Sequence, residues 1–120
     1  MSWDVMIFNT RGKKPPPVVE FNESDFDVLG PAEEVRKKVL ELLPGLDWQA
    51  PSHGIYEGDG CSIEFSLGDD DPVESMTLFV HGGGDPVAAI IKFARPLGWS
   101  ALDLTTSEFI DFDNPSSAGW

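Results

Sequence analysis

Near the N-terminal end, "WDVMIFN" places Trp3, Val5 and Ile7 on one face and Met6 and Phe8 on the other. Apolar side chains on both faces predict a central strand, covered on one side by helices and partly covered on the other. "TRGKKPPP" follows, and its three consecutive residues without a backbone donor exclude helix or inner strand there. It reads as an exposed loop. "VVEFNESDFDVLG" mixes apolar and acidic residues without a period and reads as a second loop, with room for one short edge strand.

Helical spacing then appears. Ala32, Val35, Val39, Leu42 and Leu43 recur at the 3.6-residue period and predict a helix from Pro31 to about Leu43, leaving Glu34, Arg36, Lys37, Lys38 and Glu41 in water. Pro31 suits the first helical position, Glu33 and Glu34 complement the helix dipole, and Pro44-Gly45 ends it.

A period of two returns afterwards. Cys61, Ile63, Phe65 and Leu67 alternate with Ser62, Glu64 and Ser66, while Met76, Leu78 and Val80 alternate with Thr77, Phe79 and His81. The turn signals Gly58-Asp59-Gly60 and the acidic Gly68 to Pro72 loop divide this region into three antiparallel strands. A second helix runs from Pro86 to about Ala94, with Val87, Ile90, Ile91 and Ala94 on one face; "GWSALDL" is a short strand and "EFIDF" allows a last extended piece. The order β-α-β-β-β-α-β, with an extra edge strand at the end, predicts an α+β two-layer sandwich: a mostly antiparallel sheet with two helices on one face. The 120 residues suit a single domain over 1–120, and no internal repeat is present.

Charge narrows the function classes. With 21 acidic residues against 8 basic ones the formal net charge is -13, which repels nucleic acid and anionic lipid and attracts basic partners. The excess is uneven. Met1 to Leu40 holds seven acids and six bases, whereas Glu41 to Trp120 holds fourteen acids and only Lys92 and Arg95. The single cysteine, Cys61, permits neither an intramolecular disulfide nor a cysteine-based zinc site. "MSWDVMIF" lacks the basic and long apolar regions of a signal peptide, and no segment approaches the ~18 apolar residues of a membrane span. The expectation is a cytoplasmic protein with no membrane and no nucleic-acid partner.

The stretch most suggestive of chemistry is "FVHGGGDPVAAII", in which a strand ends in His81-Gly82-Gly83-Gly84 and a helix begins. His-Gly-Gly-Gly spells the oxyanion loop of many lipases, but that loop needs a serine on a G-x-S-x-G elbow. Only the half-motifs "GCSIE" and "GWSAL" occur. A dinucleotide site is matched by Gly82-x-Gly84 after a strand and by Asp103 near the end of the next one. Val87 replaces the third glycine, however, Pro86 removes a helix N-terminal donor, and Asp85 puts a carboxylate where a phosphate would sit. A strand-to-helix turn capped by Asp85 accounts for the same residues. A cysteine-histidine pair of Cys61 with His53 or His81 is opposed by the parity of Cys61, which faces the core while His81 faces away. The acidic runs Asp69-Asp70-Asp71 and Asp111-Phe112-Asp113 break the calcium-loop pattern at Val73 and Pro115. Neither cofactor nor metal is expected.

The C-terminal run "MTLFVHGGGDPVAAIIKFARPLGWSALDLTTSEFIDFD" resembles a pattern found in small bacterial immunity-type proteins of polymorphic toxin systems. In these a strand ends in a Gly-Asp-Pro turn, a short helix follows, and a tryptophan strand leads into D-x-x-T-x-E-F-I-D. The matching positions are Gly84, Asp85, Pro86, Trp99, Asp103, Thr106, Glu108, Phe109, Ile110 and Asp111, about a third of the chain. The same run equally resembles a related uncharacterised bacterial family. The resemblance implies a cytoplasmic antidote that binds and blocks a toxin, and an acidic surface would complement a basic nuclease.

Together these readings predict a non-enzymatic protein that binds a basic partner. The expected contact residues are the acids Asp59, Glu64, Asp69, Asp70, Asp71, Glu74, Asp111 and Asp113, with Trp48 and Trp99 as aromatic anchors. Trp120 is a further aromatic beside the late acids. The alternative is a small enzyme or ligand-binding domain using His81, Gly82, Gly83 and Gly84.

Overall fold

Seven strands hydrogen-bond into one antiparallel sheet in the computed structural model, which describes residues 3–58 and 60–114. In chain order the elements are β1 (Trp3–Asn9), α1 (Ala32–Leu42), β2 (Leu46–Ala50), β3 (His53–Gly58), β4 (Cys61–Ser66), β5 (Ser75–Gly82), α2 (Pro86–Leu97), β6 (Trp99–Asp103) and β7 (Glu108–Phe109). The sheet order is β2-β3-β4-β5-β1-β6-β7, and every adjacent pair is antiparallel. This is the predicted α+β sandwich. The predicted extra edge strand is β7, only two residues long.

One sheet face is sealed. Trp3, Val5, Ile7, Ile63, Phe65, Met76, Leu78, Val80, Trp99 and Ala101 are buried on it, in one continuous cluster with Val35, Val39 and Leu43 of the α1 region and with Val87, Ala89, Ile90, Phe93 and Ala94 of α2. Ile91, expected on the buried face of α2, is half-buried at its border. The apolar periods therefore locate the core, because helix stripe and strand parity both point into the same layer.

Three local features depart from the sequence reading. Strand β2 is absent from the predicted order, since "LDWQA" follows Pro44-Gly45 and has no run of alternation long enough to show a strand. Its pairing with β3 is secured by Trp48, whose indole crosses Gly54 so closely that a Cβ there would stand 2.7 Å from the ring. Trp48 Nε1 also donates to the Arg36 carbonyl at 3.1 Å, tying α1 to the sheet edge. Helix α2 extends beyond Ala94 to Leu97, with Pro96 in its last turn; Gly98, at φ 73°, ends it with its amide directed to the Ala94 and Arg95 carbonyls. The region after β1 forms two 3-10 turns, Val18–Glu20 and Glu23–Asp25, with isolated bridges Asn9–Asp27 and Gly30–Val73 instead of an edge strand.

Two carboxylates brace the layers from a distance in sequence. Asp103, 1% exposed, accepts from Trp3 Nε1 at 2.9 Å and from the Thr105 and Thr106 amides at 2.8 and 3.3 Å. Asp71 accepts from the Ala32 amide at 3.1 Å and so supplies the cap that Pro31 cannot. Asp103→Ala would strand buried donors, and equilibrium denaturation should show a loss of about 3 kcal/mol. Asp71→Ala removes only a helix cap, and the same measurement should show about 1 kcal/mol.

Candidate functional site

The helices cover one face of the sheet and leave the other open. Across this face, strand register sets side chains in rows. One row reads Asp47, Ile55, Glu64, Phe79, Asp4 on β2, β3, β4, β5 and β1, and Leu104, whose amide donates to the Asp4 carbonyl at 3.1 Å, ends it. Acid and apolar side chains thus alternate across the strands. A second row holds His53, Ser66, Thr77, Met6, Leu102 and Phe109, and a third, at one end, Glu57, Ser62 and His81. Ile55, Phe79, Met6 and Leu102 are all half-buried, while Asp47 and Glu57 are exposed.

The charge on this face is one-sided. No strand contains a lysine or arginine; the eight basic residues lie on α1, on α2 and in the loop after β1. Only His53 and His81 can contribute positive charge here. His81 Nε2 stands 3.6 Å from Glu64 Oε2, with both side chains well exposed, so the pair is screened by water and contributes little. Asp4 is the exception to this solvation, because its Oδ1 is shut off from solvent and has no hydrogen-bond partner among the described residues.

Two recesses and an aromatic corner bound the face. Glu57, Gly58, Gly60, Cys61, Ser62, His81 and Gly82 line a shallow recess of about 390 Å³ at one end. At the other, Ser66, Leu67, Gly68, Asp70, Glu74, Ser75 and Thr77 line one of about 180 Å³, through which the acidic β4–β5 loop joins the face. Phe8, Phe21, Phe26 and Phe109 close one corner, with Phe21 stacked on Phe26 at 5.2 Å and set edge-on to Phe109 at 4.9 Å. An Arg11–Asp27 ion pair of 3.1 Å holds that segment in place.

The expected contact residues do not form one patch. Glu64 lies on the open face, and Asp69, Asp70 and Glu74 lie in the loop that borders it. Asp71 is in the same loop but caps α1. Asp113 pairs with Arg95 of α2, and Asp111 Oδ1 accepts from the Asp113 amide at 2.9 Å, so these two belong to the helix layer and the C-terminal turn. Trp99 is 4% exposed and set edge-on to Phe93, so it is a core residue and cannot serve as a surface anchor. Trp48, half-buried with its indole donor bonded to α1, is likewise a structural contact. Asp59 and Trp120 lie outside the described residues. Asp4, Asp47, Glu57 and Phe79 were not among the expected contacts. Strand parity and the absence of basic residues from the strands signalled Asp4, Glu57 and Phe79, while Asp47 lies on the strand that the sequence did not reveal.

The glycine loop is resolved by its caps. Strand β5 runs through His81 to Gly82, and Asp85 Oδ1 accepts from the Ala88 amide at 3.1 Å with Pro86 opening α2. The helix start therefore already holds a carboxylate. Cys61 is 8% exposed and its thiol donates to the Gly58 carbonyl at 3.2 Å, on the face opposite His81. Asp103, the residue matching a ribose-binding acid, instead holds Trp3 and the following turn. Among the described residues no three His, Cys, Asp or Glu side chains converge to hold a metal ion, and no helix is long and apolar enough to cross a membrane.

A capped strand-to-helix turn makes a specific demand on its glycines. Gly83 has open space around its Cβ position and should accept alanine with a change in unfolding free energy within about 0.5 kcal/mol. Gly84, at φ 72°, should lose about 1–2 kcal/mol on the same replacement, measured by chemical denaturation. Comparison of the chain with protein-family models, with curated proteins and with solved structures finds no match.

Proposed function

We propose that this chain is a non-enzymatic binding protein that docks a basic protein partner on the open face of its sheet, in the manner of an immunity protein neutralising a toxin. The observation that carries the proposal is the row Asp47, Ile55, Glu64, Phe79, Asp4, set on strands without a single lysine or arginine. Acids steer a basic protein into contact, and the half-buried apolar residues between them supply surface to bury once it arrives. A nuclease toxin suits the face, because the surface that attracts phosphates is drawn to carboxylates for the same reason. The resemblance of the C-terminal run to immunity-type proteins supports the same function, and a cytoplasmic location goes with it.

A ligand-binding or enzymatic role at His81 to Gly84 is the second reading, favoured by the His81–Glu64 pair beside Ser62 in the recess of about 390 Å³. The recess is open to solvent, and the adjoining helix start is occupied by Asp85. Binding of a protein partner is therefore preferred.

The double replacement Asp47→Lys with Glu57→Lys tests the docking face against Glu33→Lys with Glu41→Lys on α1. Titration calorimetry against basic proteins encoded beside the gene should show a loss of roughly tenfold to a hundredfold for the first pair and less than about twofold for the second. Equal losses, or none for the sheet pair, would place the interface elsewhere. Co-expression should protect cells from the neighbouring toxin, and failure against every such neighbour would remove the immunity reading.

A further inference from the structure

We infer that Glu64, Phe79 and Asp4 form a guanidinium subsite at the centre of the open face, which receives one arginine of the partner. The inference rests on the docking face proposed above and names the chemical group that face selects.

Phe79 of β5 is the register partner of Glu64 on one side and of Asp4 on the other. Neighbouring strands are about 4.8 Å apart, so the two acids flank the ring at a separation of about 9.6 Å. A guanidinium laid on the ring, with N–H bonds of about 2.9 Å to a carboxylate at each end, roughly fills that span. The ring supplies the cation–π surface between them. An ammonium is a compact, strongly hydrated point charge that can approach one carboxylate but cannot bridge both.

The state of Asp4 gives the subsite its driving force. Asp4 is half-buried, and its Oδ1 is closed to solvent and partner alike, so an arriving guanidinium meets the other edge of a carboxylate that is already partly dehydrated. A cation brought to such a carboxylate interacts more strongly than with a fully hydrated one, because less water screens the pair. No lysine or arginine of the strands competes for the position. The nearest internal competitor is His81, 3.6 Å from Glu64 Oε2, and it carries charge only when protonated.

Fluorescence anisotropy with labelled hexa-arginine and hexa-lysine peptides at about 50 mM salt tests the inference. The native protein should bind hexa-arginine about fivefold more tightly. Phe79→Leu should abolish that preference while leaving binding of hexa-lysine within about twofold, and Asp4→Asn should weaken hexa-arginine more than hexa-lysine. Phe79→Trp keeps a ring in place and should raise the preference, which guards against a folding defect in the leucine variant. Equal binding of the two peptides by the native protein, or an arginine preference that survives Phe79→Leu, overturns the subsite. The docking face fails separately, by insensitivity of both peptides to Asp47→Lys with Glu57→Lys, neither of which is a register partner of the three subsite residues.

Discussion

Two helices of 11 and 12 residues can cover one face of a seven-stranded sheet and no more. Everything distinctive about the molecule follows from that shortage of helix. The covered face carries one continuous apolar cluster with the buried Asp103 at its edge, and the uncovered face must carry enough charge to remain in water. Because every neighbouring strand is antiparallel, acids placed at alternate positions line up beside apolar residues of the next strand. A surface of mixed character arises from the sheet itself, with no need for a long binding loop.

The braces that hold this arrangement connect distant parts of the chain. Asp103 joins the first strand to the turn after β6, Asp71 closes the start of α1 from the β4–β5 loop, and Trp48 spans from β2 to the α1 backbone. The Asp103 bond is buried and the Trp48 bond partly so, whereas the Asp71 cap lies in the open. Two of these residues looked like binding groups when judged by type alone. An aspartate in an acidic run and a tryptophan beside a turn have structural duties that only their partners reveal.

Much of the fold was legible because period and parity are local properties. The spacing of Val35 and Val39, the alternation from Cys61 to Leu67, and the Asp85-Pro86 helix start each fix an element from a few adjacent residues. Strand β2 was not legible, since its five residues depend on β3 and on the space above Gly54 for their conformation. The end of α2 was misplaced for a related reason. Pro96 normally forbids helix before it, and here Gly98 closes the last turn and allows the proline to remain. Candidate contacts fared worst, because acidity was read along the chain while the open face is assembled across it. Asp4 and Glu64 stand 60 residues apart in the chain, yet both neighbour Phe79.

The one-sided charge of the open face has a further consequence for how copies of the protein behave toward one another. Flat sheets with apolar side chains stack readily, at a spacing of about 10 Å. Two of these molecules facing each other would bring carboxylate rows together with no ammonium or guanidinium between them, and the repulsion would grow as water was squeezed out. The same carboxylate rows therefore discourage self-association. Dissolved salt sets how far that holds, because at molar ionic strength the screening length shrinks to about 3 Å and the apolar residues are left to act alone.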